Sequence, residues 1–360
     1  MDALVGLGRP AIDTKYEYNL TFDQLAGRLN DGVIRKKLHL IAKWPGVVLN
    51  IRHCQPQHTA SYETLDLRMV FLLGALWRGA GLNASFVDVG ANCGIYSMVA
   101  AGVGHRVLAI DPLPTCISDI EWVRQRNNVA VPITIRRTGI SDLPEPFPVP
   151  SDICSPYFQV GSRAYVNGSV SSGGTGVGDG RAWGARKIGY SAQSVMAPAA
   201  RLPDVEPLAA FLPITLLKID TEGHEIRVLK SARSLFDGHN VKHMLWELTP
   251  LKWEMARISI EEGLRTLHEL FDATPRKYYS FTLKTRGLYP AACAKGLNHE
   301  VCGTRGEFKG FPEAVIRRLP PSSELRWTNA VPIWSVARYA NATLHCHGSE
   351  VTNIWTVSAL

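Results

Sequence analysis

The stretch FVDVGANCGIYS, residues 86–97, sets an acidic residue, two glycines and an asparagine inside an otherwise apolar run. An apolar strand ends near Val89, the chain turns, and a helix begins at about Gly94–Tyr96. Gly90 permits a positive φ or the close approach of a ligand. Gly94 leaves room for a helix start beside the sheet. The helix N-terminus brings unsatisfied N–H groups and the positive end of a dipole. In an open α/β sheet the ligand crevice lies outside the carboxyl ends of the strands. The turn is therefore placed to cradle a small ligand.

Working outward, strand and helix patterns alternate. Strands are predicted at 85–89, 106–110, 133–137, 214–220 and 241–248, and helices at 95–103, 115–127, 222–236 and 260–271. Such alternation means βαβ units and a parallel sheet. Upstream, Leu65, Met69, Leu72, Leu73 and Leu76 recur at helical spacing over 61–78, and 47–51 reads as a short strand. Downstream, 277–283 and 330–339 are β-rich runs, separated by a Gly-, Cys- and charge-rich insertion at 285–328. The alternation is interrupted at 143–200, first by closely spaced prolines (Pro144, Pro146, Pro148, Pro150, Pro156) and then by the Gly/Ser-dense NGSVSSGGTGVGDG. That stretch reads as a loop. The expected organisation is an N-terminal extension (1–60), one α/β domain (61–340, with the two insertions) and a C-terminal tail (341–360).

The totals set limits. With 360 residues, 46% hydrophobic and 20% charged, the chain can bury a real core. Its 39 Lys+Arg against 32 Asp+Glu give +7, spread widely, with Arg35-Lys36-Lys37 as the tightest cluster. That is no concentrated nucleic-acid footprint. The longest apolar run, Met69–Trp77, is half a membrane span, and the opening residues lack a signal-peptide pattern, so a soluble chain is expected. Seven cysteines show no zinc spacing. The sequence leaves the compartment open, with sequons at Asn19, Asn83, Asn167 and Asn341 and the neighbouring Cys293 and Cys302 as the hints of a secretory lumen.

Glycine spacing chooses between ligands. A dinucleotide turn is G-x-G-x-x-G, gripping a pyrophosphate. Here Asp88-x-Gly90-x-x-x-Gly94 places a carboxylate two residues before the first glycine. A carboxylate there repels pyrophosphate and suits the cationic sulfonium and amino group of S-adenosyl-L-methionine (SAM). Asp111 ends the next strand about twenty residues on, where a carboxylate accepts hydrogen bonds from ribose hydroxyls. An Asp before Pro also suits a helix start, the structural alternative.

A third segment, LLKIDTEGHEIRVLKSA at 216–232, joins these two. Together with DVGANCGIYS it resembles the FkbM family of SAM-dependent methyltransferases, whose members carry D-V-G-A-N-x-G-x-Y-S and L-K-I-D-x-E-G-x-E-x-x-V-L-x-G-A. Ser231 stands in place of the second motif's glycine, and Asp111 in place of the commoner glutamate. Ala200–Val205 looks like a diverged version of the segment before the fourth strand. Five βα units followed by two late strands match the class I methyltransferase plan: a three-layer αβα, Rossmann-like sheet, mostly parallel, with an antiparallel last strand and the late pair as the closing hairpin.

The resemblance implies SAM as cofactor, with Asp88, Gly90, Ala91, Asn92, Gly94 and Tyr96 at the cofactor turn, Asp111 on the ribose, and Ser141 and Asp142 by the adenine amine. Asp220, Glu222 and His224 are the catalytic candidates. Asn92 bonding its own backbone, Tyr96 packing under a helix and Glu225 stabilising a helix dipole are the structural alternatives. Asp220, Glu222 and Glu247 all end near strand termini, but the ligand set is not clear enough for a metal, and none is expected. The expected activity is O-methylation of a hydroxyl on a sugar, lipid or natural product, with a small-molecule or glycan acceptor and no nucleic-acid partner. The alternatives are an RNA methyltransferase and a catalytically silent SAM-binding module.

Overall fold

The computed structural model describes residues 17–21, 48–52, 67–80, 84–151, 154, 194–283, 301–303, 311–321, 330–344 and 352–359, with short interruptions. Near the N-terminus, β1 (Glu17–Thr21) and β2 (Val48–Arg52) pair antiparallel. Then follow α1 (Leu67–Ala80), β3 (Ser85–Val89), α2 (Ile95–Gly102), β4 (Arg106–Asp111), α3 (Pro114–Arg126), β5 (Ile133–Arg137) and β6 (Gly139–Ile140). Next come β7 (Phe147–Pro150), β8 (Ser194–Ala197), β9 (Ala199–Ala200), β10 (Ile214–Ile219), α4 (Glu225–Ser231), α5 (Arg233–Asp237) and β11 (Val241–Leu248). The chain continues through α6 (Ile260–Leu267), β12 (Tyr278–Thr282), α7 (Glu313–Ile316), β13 (Val331–Ile333), α8 (Val336–Leu344) and β14 (Thr352–Ser358).

Eight strands form one sheet in the order β13-β12-β14-β11-β10-β3-β4-β5. The five from β11 to β5 are parallel, and β14, β12 and β13 are antiparallel to their neighbours. This is the expected mostly parallel α/β sheet. Both faces are covered, which is why its central strands read as apolar runs rather than as alternation. Val87, Val89, Leu108, Ile110, Leu217 and Ile219 pack on one face with Ile226, Val228 and Leu229 of α4. Phe86, Val107, Ala109 and Leu216 pack on the other with Met98 and Val99 of α2 and Ile120 of α3. Each such fully buried aliphatic side chain contributes roughly 1.5–3 kcal/mol.

Several expectations are corrected. Within the stretch expected as a tail, Thr352–Ser358 is β14, which lies between β11 and β12, with Trp355 fully buried. The antiparallel last strand is therefore β14, and the late pair β12–β13 sits outside it at the sheet edge. The β-rich run at 330–339 is a strand only at Val331–Ile333, and α8 follows. Asp272 causes the switch, accepting from Val336 N (2.8 Å), Ala337 N (3.0 Å) and Ser335 Oγ (2.7 Å), which satisfies the helix's first donors. The proline-dense start of the 143–200 loop contains β7, paired antiparallel with β8. A two-stranded ribbon is all edge, where a missing N–H is tolerated.

The helix expected at 222–236 starts at Glu225 and divides at Ala232. Glu222 (φ 54°) and Gly223 (φ 107°) are left-handed and cannot begin a right-handed helix. Within 285–328, Val301, Cys302, Phe311 and Val315 are buried in the core. Cys116 and Cys154 form a disulfide, Cα–Cα 4.8 Å, which no spacing rule foresaw. Of the cysteine and sequon positions singled out above, Asn83, Asn167 and Cys293 fall outside the described residues. Among the described residues no helix is long and apolar enough to cross a membrane.

Candidate functional site

Parallel register fixes the site. Ile110 pairs with Val89, Val89 with Ile219, and Ile219 with Trp246. The next residue on each strand is Asp111, Gly90, Asp220 and Glu247. These four form a row along the carboxyl edge of β4, β3, β10 and β11. Three carry carboxylates, and the fourth has no side chain.

Gly90 is glycine because of Asp220. Its φ is 76°, and a β-carbon there would overlap the Asp220 carbonyl oxygen. Gly94, also at φ 76°, leaves room for Ile120, whose Cγ1 would lie 2.9 Å from an added β-carbon. Gly90 N and Ala91 N both donate to Ile110 O, at 2.9 and 3.0 Å, which lashes the turn to β4. Asn92 adopts φ 51°, and its N–H donates to Asp111 Oδ2 at 3.0 Å. The Cys154 disulfide sulfur touches Asn92 Oδ1 at 3.2 Å.

Asp88, expected at the cofactor turn, is enclosed beneath that turn and held by internal partners. Its side chain is fully buried, with Oδ2 accepting from Ser97 Oγ (2.7 Å) and Oδ1 from Lys218 Nζ (3.2 Å). Period-two alternation puts Asp88, Lys218 and Asp220 on one face of the sheet. Lys218 Nζ also lies 3.2 Å from Asp220 Oδ2 and 5.2 Å from the Tyr96 ring centre, a cation–π contact. Tyr96 thus packs under the turn. Burial pushes the Asp88 carboxyl up, against the pull of Lys218 and Ser97. Burial opposes the charge on Lys218, but Asp220 and then Asp88 outweigh it and raise its pKa. This network is the internal brace of the turn.

Asp111 is 5% exposed and accepts one backbone N–H on each oxygen, from Leu113 (2.9 Å) and Asn92 (3.0 Å). Burial pushes its pKa up to about 7 against those two donors. Ser141 Oγ accepts from Leu143 N at 3.0 Å and closes its own turn. Asp142 is held by Arg227 Nη1 (3.2 Å) and Lys230 Nζ (2.9 Å). Two cations thus tie its carboxylate to α4, which argues against the expected adenine contact.

The second motif turns on Glu225. It is fully buried: Oε1 accepts from Thr221 N (3.1 Å) and Gly223 N (2.9 Å), and Oε2 from Thr249 Oγ1 (2.8 Å). A role in the helix dipole alone is therefore too small, because Glu225 shapes the 221–223 turn. That turn carries Glu222, which is ion-paired to Lys252. Burial first, then Asp220, raises Glu222 to about 7, against the pull of Lys252. Glu247 is driven well above the carboxylate range by burial, then by Asp220 and Glu222.

Donor oxygens of Asp220, Glu222 and Glu247 all lie within 4.8 Å of one another. His224 is the N-cap residue of α4 and does not belong to this cluster. Ser231, the departure from the glycine of the second motif, donates from Oγ to Val228 O at 2.8 Å. Lys218 and Lys252 were missed. A lysine inside the apolar run LLKID was the available signal, because a buried ammonium needs partners. Lys252 carried none.

The site thus brings the ends of four parallel strands, the Gly90–Gly94 turn and the Asp220–Glu225 turn to one place. No curated protein matches the chain in sequence. One solved structure, the plantazolicin methyltransferase BpumL in complex with SAH, shares 8% identity over 94% of both chains, with a TM-score of 0.33. The methyltransferase FkbM domain matches residues 88–276, which begin at Asp88 of the first turn, contain the second motif and span more than half of the chain. The chain belongs to the FkbM methyltransferase family and is a methyltransferase.

Proposed function

We propose that the protein transfers a methyl group from SAM to a hydroxyl of a sugar, lipid or natural product. The observation that carries this reading is the row Asp111–Gly90–Asp220–Glu247 along one sheet edge. The donor chemistry fits SAM. A carboxylate offers about four lone-pair directions. The Asp111 oxygens use two of them on Leu113 and Asn92, which leaves acceptors for two ribose hydroxyls.

SAM supplies a methyl carbon on a positively charged sulfur, already a good leaving group. The chain's part is alignment and modest proton handling. The turn from Gly90 to Gly94, braced by Lys218 and Asp88, fixes the cofactor end. Asp220 and Glu222, at the neighbouring strand end, orient the acceptor hydroxyl; as its oxygen bonds to the methyl carbon, the C–S bond breaks and the proton passes through this rim to water. His224 lies outside the carboxylate cluster and is left with no step. Acidic rim residues also disfavour an RNA backbone.

The test is incubation with methyl-labelled SAM and separate polysaccharide, lipid, small-molecule and RNA fractions. Alkali-stable label on a hydroxyl of a non-nucleic fraction is expected. Label entering RNA overturns the acceptor class. SAM binding with no label in any fraction overturns the acceptor classes proposed here.

A further inference from the structure

Carboxyl groups outnumber the lysines paired with them around the ends of β3, β10 and β11. Five carboxylates gather there: Asp88, Asp220, Glu222, Glu225 and Glu247. Lys218 binds Asp88 and Asp220, and Lys252 binds Glu222. Glu225 is satisfied by backbone and hydroxyl donors. Glu247 has no hydrogen bond of this kind, and Lys252 reaches it only as a more distant charge. Its Oε2 is closed off from solvent and has no hydrogen-bond partner. A buried acceptor left alone costs about 1–3 kcal/mol, and more if charged. Beside the carboxyl groups of Asp220 and Glu222, this oxygen is an acceptor position that a cation would fill.

The geometry points to a divalent cation site formed by Asp220, Glu222 and Glu247. Their donor oxygens lie within 4.8 Å of one another, which small side-chain rotations can close around one ion. Asp220 and Glu247 stand side by side at the ends of β10 and β11, so two ligands rest on rigid strands. Glu222 comes from the turn that Glu225 shapes. All three donors are carboxylate oxygens, which select a hard ion such as Mg2+ or Mn2+ over zinc or copper. Three protein ligands leave positions open for water and for an acceptor oxygen. That last point rests on reading this rim as the acceptor site, whereas cation binding itself does not. The site runs against the sequence-based expectation of no metal, because the closure of Glu247 Oε2 is visible only in the fold.

The test uses the full chain without SAM. Mn2+ is titrated in and the free aqueous Mn2+ signal is followed by electron paramagnetic resonance, with Mg2+ as competitor. One Mn2+ per chain, displaced by Mg2+, is expected. Glu247→Gln and Asp220→Asn should each weaken Mn2+ by at least about tenfold, with circular dichroism unchanged. If Glu247→Gln fails to fold, Asp220→Asn carries the comparison. No saturable binding in the millimolar range overturns the site, and so does binding that both variants leave intact. SAM titration into the same wild-type sample separates the two readings. SAM binding without Mn2+ binding removes only the cation site, and Mn2+ binding without SAM binding removes only the cofactor reading.

Discussion

Lys218 and Asp88 face each other across adjacent parallel strands, Nζ 3.2 Å from Oδ1, with side chains 2% and 0% exposed. The pair lies directly beneath the glycine turn, and Lys218 Nζ also reaches Gly90 O at 3.4 Å. A buried ion pair adds little over an apolar one, but removing one partner strands a charge. Lys218→Met is expected to destabilise the protein by about 3–5 kcal/mol. Asp88→Asn combined with Lys218→Met should recover part of that loss. Urea unfolding checks both, and a Lys218→Met loss under about 1 kcal/mol would contradict the pairing.

Gly90→Ala meets the Asp220 backbone at a residue with φ 76°. Backbone cannot move aside as a flexible side chain can. Strain and overpacking together should remove about 2–4 kcal/mol. The variant should also lose SAM affinity, since the turn and β10 must separate. Retention of both wild-type stability and affinity would show that the close approach is unimportant.

Glu225→Gln keeps shape but replaces an acceptor oxygen with an N–H2 that cannot accept. With the amide nitrogen in the Oε1 place the Thr221 N donor is orphaned and Gly223 N keeps only Oε2, and in the Oε2 place the nitrogen confronts Gly223 N at 3.1 Å. A loss of about 1–3 kcal/mol is expected. Faster hydrogen exchange at Thr221 and Gly223 should accompany it, and unchanged protection there would contradict the account.

His105 is buried, neither ring nitrogen has a hydrogen-bond partner, and burial pushes its pKa down to about 4. The unfolded chain takes up the proton near pH 6.5, before the folded one does. Stability from this residue is thus present above pH 6.5 and is lost as pH falls toward 4. The full loss is on the order of 3 kcal/mol. Asp111 acts in the opposite sense, since its raised pKa favours the folded state at low pH. His105→Leu isolates the effect. Its stability relative to wild type should rise as pH drops from 7 to 4, and a pH-independent difference would refute this.

The parallel strands were legible because burial on both faces leaves mainly apolar runs such as VLAI and ITLLKI, the latter broken only by Thr215 and Lys218. The Gly90–Gly94 turn was legible because both glycines take a positive φ, which is a local steric demand. What stayed hidden depends on distant partners. The helix at Val336 is capped by Asp272, far back in the chain, and its Val and Tyr residues read as strand. The strand Thr352–Ser358 gains its stability from β11 and β12 rather than from its own pattern. Asp88 looked like a ligand contact because its partner, Lys218, lies 130 residues away in sequence.

Calorimetric titration of SAM into the folded full-length chain tests the central claim most directly, with Asp111→Ala as the comparison. One SAM per wild-type chain, with affinity lowered at least about tenfold by loss of a ribose contact that the variant cannot make, is the predicted result. A folded wild-type chain that takes up no SAM would contradict the account.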